Sequence, residues 1–135
     1  MTSTKIPKIN ALEDYFVFRA SLSSLGIWVM SDVVAEEFSL GSRPEIVREL
    51  TIKVVSDLME GDLVRAGLPS QEGAFETWPY ETSEAIVRIQ REWDGLETPL
   101  PDLGDIVWFE ATEKGIEHVE DYTPRESGLK QEQAE

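Results

Sequence analysis

The segment Asp105-Ile-Val-Trp-Phe-Glu-Ala-Thr-Glu-Lys-Gly115 constrains the fold of this chain more than any other stretch. A half-buried strand alternates its faces. Here Ile106, Trp108 and Glu110 fall on one side, and Val107, Phe109 and Ala111 on the other. The strand runs directly into Thr112, whose hydroxyl is placed to accept hydrogen bonds from the free N–H groups of the next turn, as an N-cap does. The junction therefore reads strand, Thr-Glu-Lys-Gly, charged helix.

The chain has 135 residues, of which 41% are hydrophobic. That is enough for one domain with a real core. The 27 acidic residues outnumber the 12 basic ones, and the formal charge is −15. Such a surface repels phosphate backbones and favours basic partners. Cysteine is absent, which excludes disulfides, thiolate metal sites and a cysteine nucleophile. Lysines near the start are followed by no apolar run of the kind that marks a signal peptide. No stretch approaches the roughly 20 apolar residues that span a bilayer. A cytoplasmic location is expected, without membrane attachment.

Along the chain, residues 1–9 read as a flexible arm, residues 10–122 as a single domain and residues 123–135 as a disordered tail. Asn10 and Glu13 have capping-box spacing, which predicts a helix carrying Leu12, Tyr15, Phe16 and Leu22, with Gly26 as its stop or kink. The apolar run of residues 27–30 fits a strand or a buried helix equally well. Residues 31–38 suggest a short helix capped by Ser31 or Asp32, broken at Gly41. Ser42 and Glu45 form a second capping box, with Pro44 in the first turn. The helix that follows carries Val47, Leu50, Val54 and Leu58 at helical spacing, and Gly61 caps its end. Residues 63–68 read as a strand, 69–80 as a loop, 83–93 as a helix and 96–104 as an irregular connector. The strand over 106–111 and a helix from Glu113 to about Tyr122 close the domain.

Two helices around Gly41, then a strand, then a strand ending in Thr112-Glu-Lys-Gly115, resemble winged-helix domains, the MarR- and PadR-like regulators among them. The run Leu58-Met-Glu-Gly-Asp-Leu-Val-Arg-Ala-Gly67 is similar to that family's exit from its groove helix into the first wing strand. The resemblance implies an α+β fold, winged-helix-like, mostly helical with a small antiparallel sheet. It also implies that residues 43–60 form the helix that lies in a DNA groove. Two departures stand out. The family's wing is a brief hairpin, whereas residues 69–105 separate the two strands here, and an insertion of that length is usually functional. The groove helix and its exit carry Arg43, Arg48 and Lys53 against Glu45, Glu49, Asp57, Glu60 and Asp62, so this segment is net acidic where a DNA reader is basic.

Catalytic signals are weak. The single histidine, His118, lies between Glu117 and Glu120 in the closing helix, and nothing in the sequence supplies it with a nucleophile. The carboxylate clusters lack the spaced ladder of a calcium loop. The glycines do not form a phosphate-binding loop. No enzyme, cofactor or metal is expected.

The tryptophans say more. Trp28, Trp93 and Trp108 sit in apolar elements and are expected in the core. Trp78 lies in a Pro-containing loop with Phe75 and Tyr80, interleaved with Glu76, Glu81 and Glu84. This segment either covers the core from outside or anchors a partner, and as the candidate partner-binding site it comprises Phe75, Glu76, Trp78, Tyr80, Glu81 and Glu84. The function expected is an acidic protein-interaction module of the immunity or antitoxin type, neutralising a basic, nuclease-like toxin. The alternative is a winged-helix transcription regulator that contacts DNA through Arg43, Arg48, Lys53 and Arg65. One shared basic face would favour DNA, and scattered ion-paired positions would favour the protein partner.

Overall fold

The computed structural model describes residues 7–122. Its elements run α1 (Pro7–Leu22), β1 (Leu25–Gly26), α2 (Ile27–Glu37), α3 (Pro44–Glu60), β2 (Val64–Pro69), β3 (Phe75–Thr77), α4 (Thr82–Asp94), β4 (Trp108–Ala111) and α5 (Glu113–His118). The strands form one antiparallel sheet in the order β1-β4-β2-β3. The two strands legible in the sequence pair at its centre, with Val64 opposite Ala111 and Ala66 opposite Phe109. The fold is mixed α+β with a small sheet, consistent with a winged-helix-like arrangement in which β3, α4 and the 95–107 connector are inserted between two wing strands. Among the described residues no helix is long and apolar enough to cross a membrane.

The core follows from two periodicities. Helical spacing buries Leu12 and Phe16 on α1, and Val47, Val54 and Leu58 on α3. Strand alternation buries Val64 and Ala66 of β2, Phe109 and Ala111 of β4, and Val107 just before β4. The insertion joins the same core through Ala85, Ile89 and Trp93 of α4, and the Trp93 indole N–H donates to the Pro99 carbonyl at 2.8 Å.

Thr112 ends β4 and opens α5 as its sequence suggests. Its hydroxyl accepts from the Gly115 N–H at 3.0 Å and donates to the Asp62 carbonyl at 2.6 Å, while its own N–H bonds the Leu63 carbonyl at 3.0 Å. The junction thus clamps the end of β4 to the start of β2. A β-carbon at Gly115 would collide with the Leu63 carbonyl, which explains the glycine of Thr-Glu-Lys-Gly.

Several boundaries differ from expectation. The first helix starts at Pro7 rather than Asn10, and Ile9 is buried in the core. The rest of the expected arm (1–6) and the expected tail (123–135) lie outside the described residues. Residues 27–30 are the first turn of α2, so Ser31 is no N-cap: it is buried mid-helix and donates to the Trp28 carbonyl. Ser42 does not cap α3 either. Arg43 occupies that position without a side-chain bond, and Pro44 alone marks the start. At the other end Gly61 is the C-cap in right-handed geometry, and Asp62 takes the left-handed conformation (φ 61°) that a glycine usually supplies. The N–H groups of Asp62 and Leu63 close back on Met59 and Leu58. The stretch 69–80 is not all loop, because β3 lies within it. The final helix stops at His118.

Candidate interaction surfaces

The four cations of the DNA alternative are each engaged by a carboxylate. Arg43 pairs with Glu45 (3.0 Å), Arg48 with Asp94 of α4 (2.7 Å), Lys53 with Asp57 one turn on (3.2 Å), and Arg65 with Glu110 (2.8 Å), its cross-strand partner in the β2–β4 register. Arg48 also covers the Trp93 ring, with its guanidinium carbon 5.7 Å from the centroid, and so ties α3 to α4. The backbone N–H of Glu45 and the side chain of Arg43 hold the Glu45 carboxyl below its ordinary range. Exposed pairs of this kind contribute little to stability, but they do neutralise the cations a phosphate would meet.

Of the two readings of the aromatic segment, the burial of Trp78 fits a cover on the core. Trp78 is only 8% exposed and belongs to the core, so its ring is a packing element rather than an outward anchor. Arg88 of α4 lies on that ring at 4.3 Å, donates to the Tyr80 hydroxyl at 3.0 Å and pairs with Glu92 at 2.7 Å. The bond to Glu92 is the main reason the Arg88 pKa is raised. Tyr80 stays 39% exposed, Phe75 is half-buried, and Glu76 is exposed on the edge strand. Glu81 and Glu84 are exposed but engaged in a reciprocal capping box at the start of α4, which the sequence reading missed because Glu is not a usual N-cap residue. Between the end of α3, β2 and this segment lies a cleft of about 190 Å³, with Asp62, Arg65, Trp78, Tyr80 and Glu81 among its lining residues.

His118 is exposed, with Nε2 2.9 Å from Asp14 Oδ1, joining α5 to α1. Among the described residues no three His, Asp or Glu side chains converge as a metal-ligand set.

A second surface, not anticipated from the sequence, crosses the sheet on the face opposite Phe109. The register places Gly26, Trp108, Gly67 and Thr77 in one row across β1, β4, β2 and β3. A β-carbon at Gly26 would strike the Trp28 ring, and one at Gly67 would meet Phe75 Cε2 as well as the Glu76 backbone. Rings therefore occupy the space above both glycines. Trp28 and Trp108 stand edge to face, 4.7 Å between centroids at 88°. Trp28 and Trp108 are half-buried, which corrects their expected place in the core. Two glycines aligned beside aromatics were the available signal, but only the strand register reveals it.

No family model matches the chain, and no curated protein or solved structure does either.

Proposed function

We propose that this protein is an acidic interaction module of winged-helix type that binds a basic protein partner, as an immunity or antitoxin protein does with a nuclease-like toxin. The observation that carries the reading is the ion pairing of all four cations that the winged-helix alternative needs for DNA, set in a chain of formal charge −15. A nuclease is basic because its substrate is a polyanion, and an acidic inhibitor opposes that charge and gains steered association. The cytoplasm is the compartment this reading assigns.

The DNA-regulator alternative draws on the connectivity alone, since fold does not fix use. The test is co-expression with the product of the neighbouring reading frame. The proposal expects relief of that product's toxicity and a one-to-one complex that weakens with added salt. A neighbour that is neither toxic nor bound would contradict the immunity role.

A further inference from the structure

The chain twice builds the same three-part cluster, an indole, a guanidinium and a carboxylate, from its own residues. Arg88 lies over the Trp78 ring and is hydrogen-bonded by Glu92, and Arg48 lies near the Trp93 ring and is hydrogen-bonded by Asp94. In each, the aromatic quadrupole attracts the guanidinium through its face, while a carboxylate accepts a hydrogen bond from its N–H edge. The outer face of the sheet has the same parts except the cation. Trp28 and Trp108 present partly exposed indoles, and among the described residues no cation lies over either ring. Asp32 follows Trp28 by one helical turn. Partial burial and the nearby charges of Asp102 and Glu36 raise the Asp32 pKa, so both of these acids lie near Asp32. None of the three makes an ion pair among the described residues.

We propose that this face is the docking site for an arginine-rich segment of the protein partner, with a guanidinium stacked on the Trp28–Trp108 pair and held by Asp32 and Asp102. The inference rests on the basic-partner reading and gives it a location. That location lies on the sheet rather than in the Trp78 segment, whose own ring is already covered by Arg88. Phe75 extends the aromatic row to the β3 edge and lengthens the surface that a peptide can cover.

The test uses a synthetic nine-arginine peptide and the full chain, followed by NMR at low salt through the four indole N–H signals. The signals of Trp28 and Trp108 should move saturably, while those of Trp78 and of Trp93, whose N–H is bound to Pro99, should stay in place. Asp32→Asn with Asp102→Asn should weaken binding about fivefold or more, and Glu49→Gln with Glu60→Gln, an equal charge loss on α3, should change it less than about twofold. Binding that moves Trp78 or no indole at all overturns this site and leaves the basic-partner reading standing. Equal weakening by the two double variants means diffuse charge attraction, and it too overturns the site. Absence of any binding overturns the site and the reading together.

Discussion

At the residue scale the strand-to-helix junction shows how a four-residue motif acquires its composition. Thr112 serves three bonds at once, accepting from Gly115 and reaching back to Asp62 and Leu63, so β2, β4 and α5 share one polar knot. Gly115 is there because α5 crosses the Leu63 carbonyl with no room for a β-carbon. Backbone is on the other side of that contact and cannot rotate away. Gly115→Ala should therefore lower stability by about 2 kcal/mol, the usual range for overpacking, although alanine is the better helix former. Denaturant unfolding measures it. An unchanged midpoint would mean that the helix shifts freely and the clamp is not needed.

At the scale of elements, Arg88 ties α4 to the segment before it through the Trp78 ring and the Tyr80 hydroxyl. Arg88→Ala removes the Glu92 pair, the Tyr80 bond and the cover on Trp78 together. The expected result is a loss of about 1 kcal/mol and a red shift of tryptophan emission, as water reaches an indole that is now buried. Emission that stays unshifted would place the cover of Trp78 elsewhere. The legibility of elements follows the same physics. Helices α3 and α4 and the pairing of β2 with β4 could be read in the sequence because each carries its own periodic apolar face. Strands β1 and β3, two and three residues long, exist only through their register with β4 and β2, and no local pattern reports that. The start of α2 was obscured by Ser31, a polar residue satisfied by the Trp28 carbonyl inside the helix, which imitates a cap in sequence. The candidate site was legible in part. The aromatic and acidic segment around Trp78 was found with burial as one of its two readings, but the Arg88 that lies on its ring comes from a later helix and left no local signal. The row across the sheet depends on residues some 80 positions apart, Gly26 and Trp108, and was out of reach of any local reading.

At the scale of the whole molecule, charge decides more than topology. Excess carboxylate strains the native state wherever acids crowd, and Asp32 is such a place, its pKa raised by burial and by Asp102 and Glu36. A carboxyl whose pKa is higher in the folded than in the unfolded state binds its proton more tightly when folded. Its contribution is then favourable at acid pH and is lost as pH rises through the folded value. Asp32→Asn should thus be more stable than the parent at pH 7, with the advantage shrinking as pH falls toward the ordinary carboxylate range. A gap that instead widens on acidification would mean that Asp32 makes a stabilising ionic contact. The same excess charge separates the two uses of a winged-helix-like frame. A DNA reader must offer several free cations on one face, whereas here Arg43, Arg48, Lys53 and Arg65 each meet a carboxylate. The most direct test is fluorescence anisotropy of a labelled random-sequence DNA duplex titrated with the protein near physiological salt. No rise in anisotropy is expected up to high protein concentration, whereas a micromolar complex whose affinity falls steeply with salt would reveal several phosphate contacts and contradict the protein-partner role.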